Sequence, residues 1–196
     1  MIETSSVLEQ VVNSVIVETG EKPSPEKVVD LLLQSEKLSK KSKERDKFEQ
    51  LAGNWRLCFI TGTRKVRNRA GIILGSGRYL PSWVRIYLSY SDITDTTGNI
   101  ENSVELGLIK FSLSGPTKFL PQKNILVFDF TRMSIKLFGV KLYDGFIRGG
   151  QKSEDKFYQE KINQQAFFTY FLIRDNLIAA RGRGGGLALW GREIKS

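Results

Sequence analysis

The hydrophobic period of the chain changes to two residues at Gly53, and no helix-length apolar pattern follows it. Trp55, Leu57 and Phe59 share one face of the first predicted strand, and the run 84–90 repeats the alternation. Because no long helix separates the runs, the connections are expected to be hairpins and the sheet antiparallel. The chain is therefore predicted to be mainly β (α+β), with an antiparallel barrel of about eight to nine strands.

Two shifts in the phase of the alternation mark places where the sheet bends or turns. In 104–113 the apolar positions change from even to odd numbers, which predicts a β-bulge or a short turn. A second shift predicts a tight turn near Thr131 and Arg132. At the end of the chain, the glycines of 182–186 permit a hairpin between the last two strands. These features favour closure of the sheet into a barrel.

The N-terminal part of the chain follows the helical period instead. Apolar residues recur at helical spacing in 8–16, and Ser24–Pro25 opens a second helix with a capping hydroxyl followed by proline. The mixed-charge run 36–47 is expected to be a solvated helical surface. We divide the chain into an N-terminal helical segment, 1–50, and a barrel domain, 51–196.

The predicted strand 166–173 is apolar on both faces. A strand of this kind needs a second layer over its outer face. We expect the N-terminal helices to supply that cover, with a membrane or a protein partner as the alternative. Whether the barrel interior is filled or hollow does not follow from the residues.

The charge of the chain is concentrated on the predicted barrel. The sequence has 30 basic and 21 acidic residues, a net charge of +9. Residues 1–60 hold 9 basic and 10 acidic side chains, so 61–196 hold 21 and 11. This excess favours an anionic partner, whether nucleic acid, an anionic membrane surface or an acidic protein.

Two residue types limit the chemistry. The chain has no histidine, which excludes histidine-dependent nucleophile pairs and the commonest zinc ligand. Cys58 is the only cysteine and is expected to be a buried small side chain, in keeping with a reducing compartment. The N-terminus has the character of neither a signal peptide nor a transit peptide, and no apolar run approaches the length of a membrane span. We expect no catalytic residues and no metal site.

A basic loop is a candidate for contact with a membrane or a partner. Cations flank a short apolar centre with no acidic residue between them, a composition typical of an interfacial anchor. The alternative is a solvated loop whose centre packs across the barrel mouth. A shorter segment around residue 118 repeats the pattern and favours membrane contact. The predicted membrane or partner surface consists of Arg64, Lys65, Arg67, Arg69, Ile72, Ile73, Leu74, Arg78, Lys118 and Phe119.

The two ends of the β region carry a resemblance to a known family. Gly53-x-Trp55-Arg56-Leu57 opens the first strand, and a strand from Leu177 through Arg181-Gly182 leads into a glycine hairpin. In this order, these segments resemble the plastid lipid-associated protein family, the PAP/fibrillins, over about residues 25–192. Ile178 and Arg183 depart from the family pattern, which has an arginine and a carboxylate at these places.

The resemblance implies a lipocalin-like barrel that binds or carries a hydrophobic molecule without enzymatic activity. The implied ligand is a carotenoid, a prenylquinone or a lipid, and the implied location is the periphery of thylakoid membranes, in a cyanobacterial cytoplasm or a plastid stroma. Trp55 would form the floor of the cavity, with Arg181 or Arg192 stacked on its ring. The predicted ligand cavity consists of Trp55, Leu57, Phe59, Val84, Ile86, Leu106, Phe111, Phe128, Phe130 and Arg181.

Two other functions are compatible with the sequence. An adaptor with a solid barrel core would dock on a photosynthetic or prenyl-lipid biosynthetic complex and bind no ligand. The segment 181–186 is similar to arginine-glycine boxes that bind RNA, but it is single and lies between two strands. Nucleic acid is therefore the less favoured partner. A phosphate-binding loop is excluded because no lysine followed by serine or threonine ends the glycine run.

Overall fold

A computed structural model describes residues 2–42, 46–62, 77–147 and 149–193. The α-helices are α1 (Ile2–Ile16), α2 (Pro25–Ser39) and α3 (Gln151–Phe157), and the 3-10 turns are Phe48–Leu51, Pro121–Lys123 and Ile162–Gln164. The strands are β1 (Gly53–Thr61), β2 (Gly77–Tyr79), β3 (Val84–Ser91), β4 (Thr97–Leu106), β5 (Ile109–Leu120), β6 (Ile125–Phe128), β7 (Arg132–Leu137), β8 (Val140–Phe146), β9 (Ala166–Ile173), β10 (Leu177–Gly182) and β11 (Leu187–Arg192).

Eight of the strands close into an antiparallel barrel. Their order is β4-β3-β1-β11-β10-β9-β6-β5, and β5 pairs back with β4. The predicted fold class is thus confirmed. Strands β2, β7 and β8 are added to the barrel, so the described residues contain more strands than predicted; β8 in particular was not predicted from the sequence.

Both predicted changes of phase correspond to turns. The first is the two-residue turn Gly107–Leu108, where Leu106 pairs with Ile109. Gly107 has a φ of +59°, which suits a residue without a Cβ. The second is the short connection between the end of β6 and the start of β7 at Arg132. This connection does not form a hairpin, because β6 and β7 both pair with β5.

The barrel interior is packed with large side chains at one end. The 3-10 turn Phe48–Leu51 lies across this end, and both of its terminal residues are buried. Trp55 is fully buried beside the turn, and its indole Nε1 donates a hydrogen bond of 2.7 Å to the Leu51 carbonyl. The guanidinium carbon of Arg192 lies 4.0 Å from the centre of the Trp55 ring, so Arg192 makes the cation–π contact that was predicted for either Arg181 or Arg192. We call this the closed end of the barrel.

The N-terminal helices cover the outer face of the barrel, as the apolar character of β9 predicted. A second cluster joins Leu8, Val12 and Leu32 of the helices to Phe171 and Leu189 of the strands. Because side chains alternate along a strand, these strands contribute to the interior with one face and to the helix layer with the other. The helix layer therefore takes the place that a membrane or partner would otherwise have to occupy on this side.

Two residues of this outer layer show how closely it packs. A Cβ on Gly191 would lie 2.4 Å from a methyl carbon of Val12, so the close approach of α1 to β11 requires glycine there. Cys58 is buried in the same layer, as expected, and burial raises the pKa of its thiol to about 12. The thiol therefore stays protonated at neutral pH and behaves as a small apolar side chain.

An ion pair joins helix α2 to the barrel wall. Arg181 of β10 donates through Nε to Glu36 Oε1 at 2.8 Å and through Nη2 to Glu36 Oε2 at 2.5 Å. The paired hydrogen bonds to Arg181 hold the pKa of the Glu36 carboxyl below its ordinary value. Glu36 had been expected on a solvated surface; it is buried because it faces this arginine.

We expect Glu36→Gln to lower the free energy of unfolding by about 1–3 kcal/mol, because it leaves the partly buried guanidinium of Arg181 without its carboxylate. Asp30→Asn on the exposed side of the same helix removes the same charge and is the control. A carboxyl whose pKa is lowered by folding stabilises the fold above its unfolded pKa and loses that contribution as the pH falls through its folded pKa. The difference between parent and Glu36→Gln should therefore be constant near neutral pH and shrink in acid, measured by urea titration. An equal effect of Asp30→Asn would contradict this role of Glu36.

A second prediction concerns the closed end. Trp55→Ala should cost about 3–5 kcal/mol of unfolding free energy, because it removes a fully buried ring. Trp83, which is exposed, provides a matched control, and Trp83→Ala should change stability by less than about 0.5 kcal/mol. Denaturant titration of both variants checks this. A loss below about 1 kcal/mol for Trp55→Ala would show that the ring does not support the barrel.

Candidate ligand-binding site

In the described part of the chain, the barrel wall diverges at two places at the end opposite Trp55, which we call the open end. Strand β1 pairs with β3 over Gly53–Arg56 and then with β2 over Phe59–Thr61. Strand β5 pairs with β6 near its C-terminal end and with β7 over Ile109–Ser114. The first residues of β3 and the β7–β8 hairpin therefore leave the barrel wall. Strands β3, β4, β5, β7 and β8 form a five-stranded sheet, whose part beyond the barrel we call the wing.

The wing presents two apolar rows on the side that continues the barrel interior. In the register of the strands, the row at the tip consists of Val84, Leu106, Ile109, Leu137 and Val140. The second apolar row, two residues nearer the barrel, consists of Ile86, Val104, Phe111, Ile135 and Tyr143. None of these side chains is fully buried; Ile109 is 49% exposed and Val140 is 64% exposed. We call these two rows the apolar face.

The opposite side of the wing is polar. Alternation of side chains along the strands produces this separation. The row between the two apolar rows consists of Arg85, Glu105, Lys110, Lys136 and Lys141. The next outward-facing row consists of Tyr87, Ser103, Ser112, Ser134 and Asp144. One side of the wing is thus polar, although Tyr87, Ser103 and Ser112 are themselves buried, and the other side is apolar.

A group of aromatic rings lies where the apolar face meets the barrel interior. The centre of the Phe128 ring lies 4.9 Å from that of Phe168 and 5.2 Å from that of Phe130. Phe168 in turn lies 5.6 Å from Trp190. Ile86 and Phe130 are partly buried and pack against the interior cluster. The apolar face therefore continues into the barrel through a surface of rings.

Deeper in the barrel, two tyrosines form a buried polar pair. The hydroxyl oxygens of Tyr90 and Tyr170 are 2.5 Å apart. Burial raises the pKa of both phenols well above the ordinary value, so both stay protonated at neutral pH. One hydroxyl donates to the other, which leaves the hydrogen of the second available to a further acceptor.

The structure divides the predicted cavity residues into three groups. Trp55, Leu57 and Phe128 lie in the interior cluster, against which Phe130 packs. Four others lie on the apolar face, namely Val84, Ile86, Leu106 and Phe111. The remaining two, Phe59 and Arg181, do not face the interior.

The reasons for these two errors are local. The pairing of β1 with β11 shifts register between Leu57 and Phe59, so Phe59 faces the helix layer instead of the interior. Arg181 was predicted from its motif, but its guanidinium is held by Glu36 of the helix layer and by the Gly185 carbonyl. An alternating sequence pattern predicts neither the register shift that turns Phe59 nor the ion pair that holds Arg181.

Three of the ten residues of the predicted membrane or partner surface lie in the described part of the chain. Seven of its residues lie outside the described part of the chain, namely Arg64, Lys65, Arg67, Arg69, Ile72, Ile73 and Leu74. Arg78 is exposed on β2, and Lys118 is half-buried on β5. The prediction for Phe119 is wrong: it is fully buried, because it faces the barrel interior and stacks on Phe48 at 5.5 Å.

The arginine-glycine segment uses its arginines within the protein. Arg183 donates to the carbonyls of Asn163, Gln164 and Gln165, and Arg181 is paired as described. Among the described residues, no group of three acidic or cysteine side chains is placed to hold a metal ion. None of the described helices is long and apolar enough to cross a membrane.

Only four of the ten residues of the apolar face are among the predicted cavity residues. Ile135 and Leu137 belong to an alternating apolar run that predicts a strand after the second phase shift. The strand that contains their neighbours Val140 and Tyr143, β8, is not predicted from the sequence. A signal was present: Leu106-Gly107-Leu108 and Leu137-Phe138-Gly139 are both apolar turns with glycine. Two such turns predict two hairpins, although they do not show that the hairpins lie side by side.

Comparisons with known proteins return only structures. No protein-family model and no curated protein matches the chain. A redesigned β-barrel is similar at 8% identity, covering 76% of this chain and 94% of its own, with a TM-score of 0.33. Fatty-acid-binding protein 1 of Echinococcus granulosus is similar at 10% identity, covering 75% and 100%, with a TM-score of 0.34. Another redesigned barrel, mFAP1 bound to DFHBI, is similar at 6% identity, covering 74% and 96%, with a TM-score of 0.30.

We expect the apolar face to bind a neutral environment-sensitive dye such as Nile red. Phe111→Gln, which places an amide in the second apolar row, should weaken dye binding about five- to tenfold. Lys136→Gln alters a neighbouring residue on the polar side and should leave dye binding unchanged. Fluorescence titration measures both. Equal dye affinity for the parent and Phe111→Gln would show that the dye binds elsewhere.

Proposed function

We propose that this protein binds or carries a hydrophobic small molecule without enzymatic activity, as a barrel of the PAP/fibrillin type at the periphery of thylakoid membranes. The proposed ligand class is a carotenoid, a prenylquinone or a lipid. The observation that carries the proposal is the apolar face, which is half-exposed and continues into the aromatic group around Phe128 and Phe168.

The dimensions of the apolar face favour an elongated ligand. Neighbouring strands lie about 4.8 Å apart, so five strands give a face about 19 Å wide. The two apolar rows are separated by two residues along each strand, or about 6.7 Å. A polyene or prenyl chain lying across the strands would contact both rows, and the rings at the barrel mouth would pack against one end of it.

The chemistry of the site supports binding over catalysis. Of the ten side chains in the two apolar rows, nine are hydrocarbon, and Tyr143 carries one hydroxyl. These groups offer contact area and, at Tyr143, a hydrogen bond. The Tyr90–Tyr170 pair would give a carbonyl or hydroxyl group of a deeper ligand an O–H donor.

The positions of the two resemblance motifs support the proposed family. Trp55 of the first motif pairs across the sheet with Arg192, which follows the glycine hairpin of the second. The segments that carry the resemblance thus meet at the junction of β1 and β11. Gly53 and Trp55 lie at the closed end, whereas the glycine hairpin lies at the opposite end, where the Leu187 amide donates a hydrogen bond of 2.9 Å to the Thr61 hydroxyl.

The experiment that tests the proposal is extraction of the purified protein with organic solvent and identification of the molecules released. We expect a pigment, quinone or lipid in excess over a control protein purified from the same cells. The variant Phe111→Gln with Ile135→Gln should lose it, whereas Lys110→Gln with Lys136→Gln should retain it. Recovery of nothing above the control, together with no binding of added quinone or carotenoid, would overturn the proposal and favour the adaptor.

A further inference from the structure

The tip of the wing exposes large apolar side chains at the turns. Leu108 is 61% exposed in the β4–β5 turn, and Phe138 is 69% exposed in the β7–β8 turn. Trp83, immediately before β3, is 70% exposed. These three residues are next in sequence to members of the tip row: Trp83 precedes Val84, Leu108 precedes Ile109, and Phe138 follows Leu137.

The two turns form one surface. The amide of Phe138 donates a hydrogen bond of 3.0 Å to the carbonyl of Leu108. Ile109 and Leu137 pair directly behind it. The tip is therefore a continuous apolar edge in which the backbone of one hairpin satisfies that of the next. A backbone N–H or C=O group that leaves water needs a hydrogen-bond partner, because an unpaired group is costly in an apolar environment.

Cations lie directly behind the apolar edge. One residue back along each strand, or about 3.3 Å, is the row of Arg85, Glu105, Lys110, Lys136 and Lys141. It contains four cations and one carboxylate. Lys110 lies 3.4 Å from Glu105 and 3.7 Å from Glu101, and Lys141 lies 2.7 Å from Asp144; Glu101 and Asp144 belong to rows more distant from the tip.

We infer that the wing tip docks into the surface of an anionic lipid bilayer. Trp83, Leu108 and Phe138 would enter the boundary of the acyl region, and the cationic row would lie at the depth of the lipid phosphates. The order of the layers identifies an anionic bilayer as the partner. The apolar edge at the tip matches the acyl region, and the positive row behind it matches the anionic headgroups. The inference gives a surface to the membrane contact of the proposed function, and it places the open end of the barrel towards the bilayer.

The test measures binding to vesicles of phosphatidylglycerol and phosphatidylcholine by co-flotation, with pure phosphatidylcholine vesicles for comparison. The parent should bind the anionic vesicles, and added salt should weaken binding. Trp83 provides a second readout, because Trp55 and Trp190 are buried. Its emission should shift to the blue on binding, and Trp83→Phe should lose the shift.

Two variants separate the apolar edge from the charges. Leu108→Asn with Phe138→Asn should weaken binding at least tenfold; asparagine tolerates the positive φ of 50° at Phe138. The matched control is Val17→Asn with Leu38→Asn, which removes two exposed apolar residues from the helical segment. Changing Arg85, Lys136 and Lys141 to Gln should weaken binding roughly a hundredfold. As a control for charge, three exposed lysines away from the wing are changed to Gln. Two of them, Lys27 and Lys37, belong to α2, and the third, Lys123, lies at the closed end of the barrel.

The outcomes are distinct. Vesicle binding by the tip variants equal to that of the parent, or no shift of the Trp83 emission, would overturn the inference. So would a concentration-dependent dimer that Leu108→Asn with Phe138→Asn abolishes, in a parent that ignores vesicles, since the tip would then be an interface between copies. Titration of the same variants with a soluble quinone tests ligand binding separately, so that a failed docking surface is distinguished from a failed proposed function.

Discussion

The double pairing of strand β5 is the constraint on which the rest of the structure depends. One edge of β5 pairs with β4 from Ile109 to Lys118, whereas its other edge is divided between β7 and β6. Gly115 lies at the division, and a Cβ there would approach the Asp129 carbonyl to 2.2 Å. The connection from β6 to β7 can therefore pass close against β5. Because β5 belongs to both, the barrel and the wing are parts of one sheet.

This division gives the two ends of the barrel different properties. At the closed end, Trp55 is held between the Leu51 carbonyl and the guanidinium of Arg192, and Phe48 fills the interior beside it. At the open end, strands leave the wall before their apolar sides are covered. At the closed end, the buried apolar side chains contribute the hydrophobic stabilisation that dominates folding. The open end retains apolar surface that a ligand or a bilayer can cover.

The helix layer helps to explain why most of the exposed large apolar side chains among the described residues belong to the wing. Residues of α1 and α2 bury the outer face of β1, β9, β10 and β11, and Glu36 fixes α2 to Arg181. The outward-facing rows of β3, β4 and β5 are polar or charged instead of apolar. The wing thus has one polar side and one apolar side. An alternating sequence on strands without a second layer gives the same result in other antiparallel sheets.

By itself, the sequence determined the fold class, the helical segment before Gly53, the cover of β9 and the contact of Trp55 with an arginine. The first three follow from local periodicity and from composition, which each segment carries independently of the others; the fourth accompanied the family resemblance and left Arg181 and Arg192 as alternatives. Only the tertiary structure decided which side Phe59 and Phe119 face, that Glu36 is buried, and that β8 extends the sheet. Register shifts, partners distant in the chain and the pairing of two hairpins cause these outcomes. The apolar face exists because residues from 84 to 143 align across five strands, and no single segment contains that alignment.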